Sequence, residues 1–202
     1  MNTAAAANAN RDWEPERRAV GAEPRKVHVI QGEFHVSDEP DLVLTTILGS
    51  CVAACVRDPV AGVGGMNHFL LPGETGGGKG VGEGLRYGVQ SMELLVNALL
   101  RRGARRDRLE VKLFGGARLI EGLTDVGSQN AAFAERFVRD EGLQAAGGSL
   151  RGQQARRIQF WPVSGRARQV LLEAAGSKIF AAERPRKVAT PPPEQSGALE
   201  LF

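Results

Sequence analysis

The sequence predicts a single domain of mixed α/β class with more strand than helix. Short apolar and β-branched runs recur before residue 72 and again after residue 108, as expected of strands. Only two stretches shift to the three-to-four-residue spacing of an amphipathic helix. The order of these runs is not a regular strand–helix alternation, so a doubly wound parallel sheet is not expected.

Residues 1–25 lack periodicity and contain the alanine run Ala4–Ala7, which predicts a disordered leader. Val27, Val29 and Gln31 alternate with His28 and Ile30 as in a strand. Asp41–Leu48 reads as a buried strand, and Val52–Val56 as another that ends at the turn residues Asp58-Pro59. Val63–Leu71 is again strand-like. Pro72–Gly84 holds seven glycines in thirteen positions and is expected to be a flexible loop. Leu85, Val89, Met92, Leu95, Val96 and Leu99 then mark a helix, with Gly103 at its C-cap.

Leu109, Val111 and Leu113 alternate as a strand running into Phe114-Gly115-Gly116. Asn130 is placed to cap a second helix carrying Phe133, Phe137 and Val138, and Gly142 to end it. Ile158, Phe160 and Pro162 mark a late strand. Arg166–Leu172 reads both ways: Ala167, Gln169 and Leu171 alternate, yet the segment also suits a helix. From Ala182 the chain is rich in proline, with Pro191–Pro193 consecutive, which suits an extended tail. Its apolar end, Gly197–Phe202, is expected to fray. The expected division is therefore a leader over 1–25, a domain over 26–181 and a tail over 182–202.

Composition narrows the function classes. Of the 202 residues, 24% are charged and 42% hydrophobic, enough for a packed core. No apolar run approaches the roughly 18 residues of a membrane helix, and the N-terminus has no apolar signal core, so membrane insertion and secretion are not expected. Cys51 and Cys55 are the two cysteines, which excludes a disulfide framework and predicts a reducing cytoplasm. The net charge is +3, and five arginines crowd into 101–108. That patch suits nucleic acid, an acidic protein surface or merely a solvated helix end. No helix-turn-helix, zinc-finger or aromatic RNA-binding signature accompanies it, so no nucleic-acid partner is expected.

Three constellations bear on chemistry. Gly73–Gly80 matches the first seven positions of a phosphate-binding loop, but Gly80 stands where Ser or Thr should hold magnesium. A surface loop is the better reading, and no cofactor is expected. Cys51, Cys55 and His68, with His28 or His35, have the donor types of a zinc site. Along a strand the two thiols would lie about 13 Å apart, without paired-ligand spacing, so no metal is expected either. The third is nucleophilic. Gly49-Ser50-Cys51 follows a buried strand as a corner, where backbone N–H groups are available to an oxyanion. A reactive thiol needs a partner, and His68 lies in the apolar segment Gly64–Leu71. On pattern alone, a hydrogen-bonded core histidine and a small buried thiol remain the commoner readings.

The segments Thr45-Thr46-Ile47-Leu48-Gly49-Ser50-Cys51-Val52 and Gly64-Gly65-Met66-Asn67-His68-Phe69-Leu70-Leu71-Pro72, with Asp58-Pro59 between them, resemble the CheD family of chemoreceptor glutamine deamidases. The resemblance continues through Tyr87, Lys112–Ala117, Gly147-Gly148 and Ser164–Arg166, and spans roughly residues 27–172. The family motif has a threonine six residues before its cysteine and a histidine seventeen after it. The resemblance therefore implies a catalytic set of Cys51, His68 and Thr45, with Gly49 and Ser50 beside the oxyanion. It implies a single-domain, mixed-sheet α/β sandwich resembling the catalytic domains of deamidating toxins, and it makes Arg166–Leu172 a strand.

The implied activity is hydrolysis of glutamine side chains on methyl-accepting chemotaxis receptors. A CheC-type phosphatase is an implied partner, so a chiefly regulatory adaptor is the alternative reading. Cysteine peptidase chemistry shares the same groups and stays open. One departure stands out: the family's Ile-Gly-x-Arg-Asn is here Val126-Gly127-Ser128-Gln129-Asn130, with Gln129 in place of the arginine.

Overall fold

The computed structural model of the chain describes residues 24–71, 80–119 and 125–172. The predicted leader apart from its last two residues, most of the glycine loop with its phosphate-loop-like stretch, and the predicted tail lie outside these residues.

Among the described residues, nine strands, two α-helices and one 3-10 turn (Arg106–Arg108) occur; the strands and α-helices follow in the order β1 (Lys26–His28), β2 (Phe34–Ser37), β3 (Val43–Leu48), β4 (Val52–Asp58), β5 (Val63–Asn67), α1 (Gly80–Arg101), β6 (Glu110–Gly115), α2 (Val126–Asp140), β7 (Gln144–Leu150), β8 (Arg156–Phe160) and β9 (Ala167–Leu171). They form a four-stranded sheet, β1-β3-β8-β9, and a five-stranded sheet, β2-β5-β4-β6-β7. Only β1–β3 and β6–β7 pair in parallel; the other described pairs are antiparallel. The mixed α/β class is as the sequence predicts, and Arg166–Leu172 contains a strand.

Strand β4 shows why the molecule has layers. Its side chains alternate between two faces. Val52, Ala54 and Val56 point into a core shared with Met92, Leu95, Val96 and Leu99 of α1 and Phe133, Phe137 and Val138 of α2. Ala53 and Cys55, with Cys51 just before the strand, point the other way, into a core shared with Leu44 and Leu48 of β3 and Ile158 and Phe160 of β8. The five-stranded sheet is therefore the middle layer, apolar on both faces.

Two expectations are corrected, and two strands are added to those expected. Helix α1 starts at Gly80, five residues before the first expected apolar position, so Gly80, Gly82 and Gly84 lie in the helix. Within it, Gly88 allows close packing: a Cβ there would press on Leu71 and Phe133. Asn130 does not cap α2. The cap is Asp125, whose carboxylate accepts from the Ser128 amide at 2.9 Å. Strand β7 was not legible because it lies at a sheet edge and carries Gly147-Gly148. Gly148 has φ 135, and a Cβ there would collide with the Leu113 carbonyl at the irregularity between β6 and β7. Strand β2 was missed as well, being only four residues long at the opposite edge.

The arginine cluster is largely internal bookkeeping of charge. Arg102 pairs with Asp38, Arg105 with Asp107, Arg106 with Glu93 and Glu141, and Arg108 with Asp58. Burial alone would push the Asp58 carboxyl up, but the amides of Ala61, Arg105 and Val60 and the Arg108 guanidinium together hold it below its ordinary value. A solvated helix end with paired charges is the reading this favours.

Candidate active site

Two short connections carry the chain from one sheet to the other, and the candidate site lies where they meet. Gly49-Ser50-Cys51 links β3 of the four-stranded sheet to β4 of the five-stranded sheet. Residues 29–33 link β1 to β2 in the same sense. Between them runs the continuation of β5 through His68.

The register places Cys51 and His68 at neighbouring positions on one face. β4 and β5 pair antiparallel from Cys55↔Met66, and the same register reappears at Val52↔Phe69. Val52 and Phe69 exchange both backbone hydrogen bonds at 2.9 Å. His68 therefore stands opposite Ala53 and is the diagonal neighbour of Cys51 on one face. Such diagonal pairs lie about 7–8 Å apart at the backbone, within reach of long side chains. Asn67 steadies the gap: its Oδ1 accepts from the Ala54 amide at 2.9 Å. Cys51 is 6% exposed and His68 1%.

The corner is fixed from three directions. The Gly49 carbonyl accepts from Ala117 at 2.8 Å and the Cys51 carbonyl from Gly116 at 2.7 Å. The Ser50 carbonyl accepts from Asn130 Nδ2 at 2.9 Å. Because the peptide unit is planar and trans, pinning the Gly49 and Ser50 carbonyls turns the Ser50 and Cys51 N–H groups to the opposite side. Gly115 has φ 108, and a Cβ there would collide with the Cys51 carbonyl oxygen. This accounts for Phe114-Gly115-Gly116 at the end of β6.

Asn130 is the residue that sequence reasoning assigned to the wrong task. Fully buried in the second turn of α2, it donates to Ser50 and accepts from the Leu71 amide at 2.8 Å. One carboxamide thus ties the cysteine corner to the segment after His68.

The threonine differs from the one the resemblance implies. Thr46 Oγ1 lies 2.9 Å from His68 Nδ1. Thr45 points to the other face of β3 and donates to the Ile158 carbonyl at 2.9 Å. Adjacent strand residues face opposite ways, so only one of the two reaches His68. His68 Nδ1 also lies 3.3 Å from the Val29 carbonyl. A carbonyl only accepts, which favours a proton on Nδ1 and leaves the Nε2 lone pair open. Nε2 is buried and has no hydrogen-bond partner among the described residues. Burial pushes the His68 pKa down to about 4, opposed only by Val29, so the ring is neutral at pH 7.

Cys51 Sγ lies 3.6 Å from Gln31 Oε1. Cys55 is buried in the middle of β4, and burial drives its thiol pKa strongly upward, with Lys112 opposing. The other two histidines stand apart: His28 is at the end of β1 and His35 is in β2. Among the described residues, no group of three or more His, Cys, Asp or Glu side chains converges as metal ligands.

A family model described as CheD chemotactic sensory transduction matches residues 70–170. A probable chemoreceptor glutamine deamidase CheD of Acidiphilium cryptum is 60% identical over 183 residues, covering 88% of this chain and 94% of the relative. The chain belongs to the CheD family. CheD relatives of the same description from Caulobacter sp. and Rhizobium rhizogenes are 58% and 56% identical, covering 88% and 90% of this chain and 93% and 98% of their own. Among solved structures, a Neisseria meningitidis protein and a Bacillus licheniformis hypothetical protein are similar only at TM-scores of 0.40 and 0.41, with 10% and 12% identity over 63% of this chain. They cover 62% and 59% of those chains. No described helix is long and apolar enough to cross a membrane.

Proposed function

We propose that this chain deamidates glutamine side chains of methyl-accepting chemotaxis receptors to glutamate, releasing ammonia, with Cys51 as nucleophile and His68 as base. The relatives' descriptions supply the substrate class. The observation that supports the chemistry is a neutral, buried imidazole on the face of Cys51, with Nδ1 occupied and Nε2 unpartnered among the described residues.

His68 Nε2 takes the Cys51 proton as sulfur attacks the carboxamide carbon. The N–H groups of the Gly49-Ser50-Cys51 corner stabilise the oxyanion. The imidazolium then protonates the departing nitrogen, and ammonia leaves a thioester on Cys51. Water, activated by the same imidazole, hydrolyses the thioester and restores the thiol. In this reading Thr46 orients the ring, while Thr45 anchors β3 to β8. The chemistry needs a reduced thiol, which suits the cytoplasm.

The test is incubation with a cytoplasmic receptor fragment, followed by ammonia release and by mass spectrometry of glutamine-containing peptides. Glutamate should accumulate with the intact chain and not with Cys51→Ala. Conversion that persists in Cys51→Ala would remove the thiol mechanism, and cleavage of the fragment would instead indicate a peptidase.

A further inference from the structure

We propose that Gln31 is a resident stand-in for the substrate, a carboxamide that caps Cys51 in the resting protein and is displaced by the incoming glutamine. The proposal rests on Cys51 being the nucleophile of the proposed reaction. Gln31 carries the same functional group as that substrate, and its Oε1 lies 3.6 Å from Sγ.

Its position is built. The connection over residues 29–33 is strapped to the base by backbone bonds, Gly32 N–H to the His68 carbonyl at 2.8 Å and His68 N–H to the Glu33 carbonyl at 3.0 Å. Gly32 has φ 89, which suits glycine in that turn. Cys51 is 6% exposed, whereas Gln31 is an exposed side chain. A substrate glutamine reaching Sγ must therefore enter where a neighbour now lies, and Gln31 is an exposed neighbour bonded to the sulfur.

The contact also explains why the cap is not itself consumed. The thiol donates to the carboxamide oxygen. That oxygen faces sulfur, whereas attack requires the carbonyl carbon at about 3–3.5 Å with its oxygen among the oxyanion donors. The contact keeps the proton on sulfur until a substrate replaces it.

Gln31→Ala and Gln31→Met separate removal of the cap from loss of its hydrogen bond, since methionine keeps the length of the side chain. The readouts are the rate of iodoacetamide alkylation of Cys51, mapped by mass spectrometry, and KM against kcat with a receptor fragment. Losing one thiol–carboxamide bond should raise alkylation about three- to tenfold in Gln31→Ala, and less in Gln31→Met. KM should fall by a similar factor, with kcat within about twofold. An unchanged alkylation rate, or a raised KM, overturns the cap. So does glutamate appearing at position 31 of the wild-type chain but not of Cys51→Ala, which would make Gln31 a substrate. Alkylation needs no receptor. If Cys51→Ala retained receptor deamidation, the functional reading would fail while the alkylation rates still judged the cap.

Discussion

Cys51 and Cys55 sit four residues apart on one face of one line of chain, and both are buried in the same core between the sheets. Cys55 is in mid-strand, flanked by Met66 on β5 and Lys112 on β6. There the strand is paired on both sides, and burial simply holds the thiol protonated. Cys51 stands one residue before β4, where the chain has just crossed from the other sheet. There the carbonyls are pinned by Ala117, Asn130 and Gly116, a neutral imidazole is the diagonal neighbour, and a carboxamide meets the sulfur. The difference lies in where the ladder stops, not in residue type or burial.

The largest expected effect breaks the comparison if it fails. Cys51→Ala should lower receptor deamidation at least about a thousandfold, because the covalent route is lost. Cys55→Ala should leave kcat within about twofold and cost about 1 kcal/mol of stability, since it removes one buried atom from a packed core. Ammonia release and urea melts read the two arms. Equal losses of activity would make the cysteines equivalent.

His68 comes next. His68→Gln should reduce kcat/KM about a hundred- to ten-thousandfold through loss of the base. It also has a signature in stability. The folded state holds the His68 pKa near 4, against 6.5 for an unperturbed histidine. Between those values the unfolded chain binds the proton and the folded chain does not, so stability falls as pH falls through this window. Urea melts across pH 6.5 to 4 should show that slope in the wild type, and the slope should flatten by about one proton in His68→Gln. An unchanged slope would mean that His68 is not held neutral.

Cys51 and His68 stand out as candidates because their residue types are rare in this chain, but pattern alone favours a buried thiol and a core histidine, and only the family resemblance names them as a pair. The helices and most strands were legible from periodicity. What supports the pair was not. Asn130 is a residue type common at helix starts, and only the approach of α2 to the Ser50 carbonyl shows its other use. Thr45 and Thr46 sit in two interleaved apolar patterns, Val43-Thr45-Ile47 and Leu44-Thr46-Leu48, and both faces of β3 are largely buried. With both phases apolar, periodicity has no basis for choosing which threonine faces the histidine. Gln31 reads only as the end of the first strand's alternation, and its approach to Cys51 is found only through the fold.

Asn130→Ala sharpens the corner's part in the comparison. It strands a half-buried carbonyl at Ser50 and a half-buried amide at Leu71, so about 1–3 kcal/mol of stability should go, with a loss of kcat at temperatures where the protein is still folded. Asp125→Ala removes the true cap of the same helix and should cost about 1 kcal/mol with kcat unchanged. Urea melts and initial rates on both variants distinguish a helix effect from a corner effect. If the two variants lose activity in proportion to stability, Asn130 merely supports α2.

The smallest effect discriminates most finely, because it concerns two identical residues side by side. Thr46→Val removes the hydroxyl at His68 Nδ1 and keeps the shape, so the ring loses one of its two Nδ1 contacts while Val29 remains. A loss of about fivefold in kcat is expected, with KM little changed, since one neutral hydrogen bond of about 1 kcal/mol orients the base. Thr46→Ser restores the hydroxyl and should recover most of it. Thr45→Val breaks only the bond to the Ile158 carbonyl, which joins β3 to β8. It should therefore appear as about 1 kcal/mol in urea melts and leave kcat alone. The reverse result, with kcat following Thr45, would return the orienting role to the threonine six residues before the cysteine. It would require β3 to present its other face to His68 during turnover, a rotation that the paired register of β3 with β8 opposes.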